Sequence, residues 1–263
     1  MAALRGEWLR RYGVPVTALL LLAVLLATDG NRPLFLLFNS LGVHTGDALW
    51  ANWTLLGDAL VLIVLTLPFV GRRAEVVWAL MLAALLAAVA VPMLKHNFAM
   101  PRPPAVLPAR LIHVIGHAYH SHSFPSGHTT AAFAYAGVLC LYVRHRGATA
   151  AALVVALGVG VSRMAVGVHW PLDVTAGAGL GWLCALAGRA GAERWRWGSG
   201  RTAQRLISVV LLACAVVLLF FFKPDSPLAA PLPKLVAILS LLGAVPTQLR
   251  LWRAPGELQR LST

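Results

Sequence analysis

Eight long apolar stretches run through this chain, near residues 14–29, 48–70, 75–94, 127–143, 148–167, 171–188, 206–222 and 230–249. An α-helix crosses about 30 Å of hydrocarbon in roughly 20 apolar residues, and only a helix or a closed barrel satisfies its own backbone there. Eight such stretches take up more than half of the 263 residues. Hydrophobic residues make up 59% of the chain and charged residues 12%, about half the charge of a soluble domain. The expected fold is therefore an all-α integral membrane protein with about eight spans. The first stretch follows Arg5, Arg10 and Arg11 and so has the outline of a signal peptide. No small-x-small cleavage site follows before Asp29, so it is read as the first membrane helix.

The net charge is +13. Its placement argues against a nucleic-acid partner, because the basic residues lie in short clusters between apolar runs and build no groove. They set an orientation instead. Fifteen of the 22 Lys and Arg residues fall on the N-terminus, the 71–74 and 144–147 turns, the 189–205 loop and the C-terminal tail. By the positive-inside rule that side is cytoplasmic, which places both termini inside. The 189–205 loop carries Trp195 and Trp197 among five arginines, a composition suited to the membrane interface. It divides the chain into a six-span unit (1–190) and a two-span extension with a tail (191–263).

Three clusters of polar residues interrupt this pattern on the outer side. The first holds Lys95 and, seven residues on, Arg102-Pro103. The second is Pro125-Ser126-Gly127-His128, at the start of the fourth stretch. The third runs from Ser162-Arg163 through His169 to Asp173. Their chemistry suits a phosphate group. Lys95, Arg102 and Arg163 bring three positive charges, the arginines with planar bidentate donors. Backbone N–H groups of Ser126 and Gly127 at a helix start add further donors, although the Ser126 side chain also suits a helix cap. A neutral imidazole attacks phosphorus. His169 and Asp173 are four residues apart, a helical spacing that lets Asp173 take the proton of one ring nitrogen and leave the other as nucleophile. Three cations already neutralise the phosphate, so no metal or cofactor is expected.

These motifs resemble the type 2 phosphatidic acid phosphatase family, the membrane branch of a superfamily shared with vanadium haloperoxidases. Its pattern is K-x6-R-P, then P-S-G-H, then S-R-x5-H-x3-D, and every defined position is matched across about residues 50–190. The resemblance implies a phosphohistidine on His169, oriented by Asp173. It implies that His128 protonates the leaving oxygen and then activates water, while Lys95, Arg102, Ser126, Gly127 and Arg163 bind the phosphate. The expected substrate is a lipid-linked phosphate at the outer face of a bacterial inner membrane, with undecaprenyl pyrophosphate preferred. The alternatives are phosphatidylglycerophosphate, phosphatidic acid and lipid A phosphate, a phosphotransferase with the same intermediate, or a lipid transporter without chemistry.

Other features read as structure. Asp58 follows Gly57 inside the second stretch, where an acid either pairs within the bundle or faces a polar cavity; a structural role is preferred. His113, His117, His120 and His122 crowd the outer loop with no carboxylate or cysteine beside them in sequence, and a solvated loop is preferred over a metal site. Leu107, Leu111, Val114 and Ala118 recur at helical spacing and predict a helix lying on the membrane. The pocket walls are expected from loops 30–46 and 104–124.

Overall fold

A computed structural model describes residues 2–253; Met1 and residues 254–263, which include Arg260 of the basic tail, lie outside the described residues. The described residues are 79% helical and all-α. The helices are α1 (Ala2–Ala27), α2 (Asn31–Thr45), α3 (Asp47–Leu55), α4 (Ala59–Leu65), α5 (Ala74–Phe98), α6 (Pro103–Val106), α7 (Gly127–Tyr142), α8 (Arg146–Ala165), α9 (Pro171–Arg194), α10 (Arg201–Phe220) and α11 (Pro231–Trp252). Among the described residues, five stretches are long and apolar enough to cross a membrane alone: Gly6–Ala27, Ala74–Val106, Arg146–Ala165, Arg201–Phe220 and Pro227–Trp252. The bent pair Asp47–Leu55 and Ala59–Phe69 makes six. The stretches at α7 and α9 fall outside this set. Helix α7 has only 16 residues, and α9 is diluted with Gly and Ala.

Those two helices form the middle of the bundle. Helix α9 packs against α1, α5 and α7. Its small residues make this possible: a Cβ on Gly181 would collide with the Thr130 carbonyl of α7, and one on Gly188 would lie 2.7 Å from the Ala79 carbonyl of α5. Where hydrophobicity gives helices no drive to associate, such close backbone approach supplies the packing.

Three local expectations are corrected. The second stretch is not one straight span but bends by 62° between α3 and α4. The cause is Asp58, whose backbone is extended and whose carboxylate caps α4, accepting from Leu60 N–H at 2.8 Å and Val61 N–H at 3.3 Å. This is the structural role preferred for Asp58, since an N-cap oxygen satisfies donors that a helix start leaves unpaired. Residues 31–45 form helix α2 rather than a loop, with fully buried Phe35 packed 5.1 Å from the Trp170 ring. The surface helix expected over 107–118 is absent. Only α6 and a single 3₁₀ turn at Ala109–Leu111 form there. Leu107 and Ile115 are both buried, so they pin the segment to the core instead of lining one face of a helix. Gly116 then turns the chain at φ 86°.

Helices α10 and α11 dock on the second half of the bent span. Val61, Val64 and Leu67 share a buried apolar cluster with Leu211, Leu218 and Ala237. The segment joining α10 to α11 comes back to the end of the bundle that holds His128 and Arg163.

Candidate active site

His169 lies in the tight connection between α8 and α9, not on α9 itself, so its pairing with Asp173 does not arise from a shared helix face. Gly167 takes φ 84° and lets the chain reverse. The backbone N–H groups of Val168 and His169 then both donate to the Arg163 carbonyl at 3.2 Å. Asp173 stands in the first turn of α9 and reaches back. Its Oδ2 accepts from the Trp170 N–H at 2.8 Å and lies 3.2 Å from His169 Nδ1. The Ser123 hydroxyl donates to the same oxygen. A carboxylate at Nδ1 assigns the proton to that nitrogen and leaves the lone pair on Nε2, a tautomer read from the partners. Arg102 Nη1 sits 3.4 Å from Nε2.

Burial pushes His169 well below its ordinary pKa, and the positive charges of Arg163, Arg102 and Lys95 push it further the same way. The imidazole is therefore neutral near pH 7, the state in which Nε2 is a nucleophile.

The cations are held by backbone carbonyls. Lys95, at the end of α5, donates to the carbonyls of His122 and Ser123. Arg102 donates from Nε to Ser121 O at 2.9 Å and from Nη1 to Val168 O at 3.3 Å. Lys95 and Arg102 thus grip one short segment, 121–123, on the side where Ser123 meets Asp173. Arg163 lies in the last turn of α8 and donates to the Thr54 hydroxyl at 2.6 Å, while its buried Nε has no partner among the described residues.

Ser126 is placed as a cap. Its Oγ accepts from the Thr129 hydroxyl at 2.9 Å and the Thr129 N–H at 3.5 Å, and its own N–H donates to the Asp173 carbonyl at 3.0 Å. It is fully buried. By helix geometry the donors left over at this end belong to the next residues, Gly127 and His128.

Two cavities meet at His128. One is polar, about 180 Å³, and includes Thr54, His117, Tyr119, Arg163 and Asp225 in its lining. The other is an apolar groove of about 360 Å³ between α4, α5 and α7, walled by residues such as Leu62, Ala84, Val91 and Ala131. His128 and Asp58 line both. Gly57 brings the corner of the bent span against them: a Cβ there would lie 2.9 Å from the His128 carbonyl and collide with Val159. Gly57→Ala is expected to destabilise the protein by about 1–3 kcal/mol, the usual cost of overpacking. It should also lower activity by shifting His128. Thermal unfolding in detergent and a phosphate-release assay check both.

Several contributing residues were not singled out from sequence. Ser123 sits just ahead of the Pro125-Ser126-Gly127-His128 motif, but nothing in its spacing marks it. Asn39 clamps the outer loop, donating to the carbonyls of His113, Met164 and Ala165 and accepting from His113 N–H at 2.8 Å; an Asn inside apolar α2 was the available signal. The His cluster disperses. His113 pairs with Asp47 at 2.7 Å, a carboxylate 66 positions away, and His117 stacks edge-on against Tyr119.

A bundle of membrane-length helices with a buried His–Asp pair among cations is suited to phosphoryl transfer. Residues 76–197 match the PAP2 superfamily. A stretch of 64 residues is 48% identical to the bacitracin transport permease protein BcrC of Bacillus licheniformis, spanning 24% of this chain but only 30% of BcrC. The crystal structure of Aquifex aeolicus LpxE is similar at a TM-score of 0.54 and 34% identity, over 60% of this chain and 93% of LpxE. The chain belongs to the PAP2 superfamily.

Proposed function

We propose that this membrane protein is a lipid phosphatase that forms a phosphohistidine on His169. The observation that carries the lipid assignment is the junction at His128, where an apolar groove within the membrane-spanning helices meets a polar pocket that includes Arg163. A substrate with its tail in the groove and its phosphate toward His169 presents its bridging oxygen near His128. In this reading His169 Nε2 attacks phosphorus, Asp173 stabilises the developing imidazolium through Nδ1–H, and His128 gives a proton to the leaving oxygen. Water activated by His128 then releases phosphate. Lys95, Arg102 and Arg163, with the N–H groups at the start of α7, neutralise the charge that develops on the phosphoryl oxygens, which is usually the largest single contribution to such a rate. Ser126 serves by capping that helix start.

The proposed location is a bacterial inner membrane with the site outside, an orientation that the asymmetry of Lys and Arg supports. Undecaprenyl pyrophosphate is the preferred substrate, because recycling that carrier needs a phosphatase on this face. The name of BcrC favours a second reading, lipid transport without chemistry, and the intact His169–Asp173 pair weighs against it. One experiment separates them. Purified protein in detergent is offered polyprenyl pyrophosphate, phosphatidic acid, phosphatidylglycerophosphate and lipid A, with and without chelator. Free phosphate should appear, chelator should not reduce it, and the polyprenyl substrate should turn over fastest. Lipid movement in vesicles with no phosphate released overturns the phosphatase, and transfer of phosphate to a second lipid makes it a transferase.

A further inference from the structure

Helices α10 and α11 lie beyond residues 76–197, the part that matches the family. Their connecting segment nevertheless lines the polar pocket with Phe222, Lys223, Pro224, Asp225 and Ser226. Asp225 is its fixed point. Both carboxylate oxygens accept from the Tyr119 hydroxyl, at 3.0 and 3.1 Å. The Asp225 backbone packs on Gly116, where a Cβ would lie 3.0 Å from the Asp225 carbonyl oxygen. Burial and the bond to Asp225 both raise the Tyr119 pKa, so the phenol keeps its proton and goes on donating. The Tyr119 ring in turn lies against Arg102, with the guanidinium carbon 5.0 Å from the ring centre. Arg102 Nη1 faces His169 Nε2. A continuous run of contacts therefore joins the C-terminal extension to the imidazole: Asp225, Tyr119, Arg102, His169.

We infer that Asp225 is a positioning residue, which acts through Tyr119 to hold the Arg102 guanidinium where it grips a phosphoryl group at His169. The inference rests on the phosphatase reading above. The single O–H of Tyr119 is shared between both Asp225 oxygens, which anchors the ring, and the ring lies against the Arg102 guanidinium. Bidentate contact to phosphate depends on where that guanidinium lies, and a displacement of about 1 Å at a reacting centre costs up to roughly 100-fold. The carbonyls of Ser121, His122 and Val168 hold the N–H groups of Arg102, and Tyr119 adds the contact that ties this grip to the C-terminal extension. The extension thus has a catalytic consequence although it places no group on the phosphate.

The test uses the full chain in detergent, with turnover of dioctanoyl phosphatidic acid and calorimetric binding of inorganic phosphate. Asp225→Ala and Tyr119→Phe should each lower kcat/KM and weaken phosphate binding by about five- to tenfold. Asp225→Asn, which keeps an acceptor for the phenol, should stay within about threefold of the parent. In an Arg102→Ala background neither Asp225→Ala nor Tyr119→Phe should cost anything further, because contacts in series are not additive. Equal losses with and without Arg102, or an Asn variant as impaired as the Ala variant, overturn the inference. Should Asp225→Ala fail to fold, Tyr119→Phe and Asp225→Asn still decide it. A parent protein that binds phosphate but releases none from the lipid removes the phosphatase reading alone, and the binding data still judge Asp225.

Discussion

His169→Ala should reduce phosphate release by at least about 10⁴-fold while leaving the protein folded, because in the proposed mechanism it removes the bond-forming atom rather than a binding contact. The same change should abolish an acid-labile, alkali-stable label after incubation with substrate carrying radioactive phosphate, the behaviour of a phosphoimidazole. The pH profile gives an independent check. Burial and the charges of Arg163, Arg102 and Lys95 lower the His169 pKa from 6.5. A lowered pKa means that the proton leaves at lower pH, so the neutral nucleophile persists below 6.5. In kcat/KM, which reports the free enzyme, the acid limb due to His169 should therefore lie below that value once the substrate's own ionisation is allowed for. Undiminished turnover in His169→Ala sinks the covalent mechanism. An acid limb above 6.5 contradicts the electrostatics argued for the pocket.

Much of this site was legible because phosphate chemistry needs ions, and ions are conspicuous in a chain of this kind. Lys95, Arg102, His128, Arg163, His169 and Asp173 stood out against apolar surroundings, and the structure gathers them at one end of the bundle. Membrane helices were legible for the same physical reason, since the bilayer tolerates little but unbroken apolar helix. The failures occurred where several groups compete for one partner. Hydropathy reads 48–70 as one run because it averages over Asp58, yet a single carboxylate capping two N–H groups is enough to turn the chain. The periodicity of 107–118 is real, but burial of Leu107 and Ile115 outweighs a helix that would have had to lie on a surface. His169 and Asp173 do meet, though through a reversal at Gly167 and not along one helix. The Tyr119–Asp225 bond joins residues 106 positions apart, and no local pattern contains such information.

Replacing His128 by Ala should separate the substrate classes that topology leaves together. A general acid is worth about 10²–10⁴-fold, but only where the departing oxygen needs a proton. The alkoxide expelled from phosphatidic acid is a strong base and needs one. The lipid monophosphate expelled from a polyprenyl pyrophosphate is a weak base and leaves nearly unaided. In single-turnover experiments, which isolate transfer of the phosphoryl group to His169 from the later attack by water, His128→Ala should slow phosphatidic acid by about the full amount. It should slow a pyrophosphate by less than about tenfold. Steady-state rates should fall for both, because in the proposed mechanism hydrolysis of the phosphohistidine still requires His128 to activate water. Gly57 and the start of α7 fix the backbone here and both cavities adjoin the residue, so the chief competing role for His128 is to hold the helix end in place. That role predicts equal losses for every leaving group. Equal single-turnover losses would thus overturn the acid assignment. A graded loss would support it, and a pyrophosphate that turns over fastest in the parent and tolerates His128→Ala best would match the proposed physiological substrate.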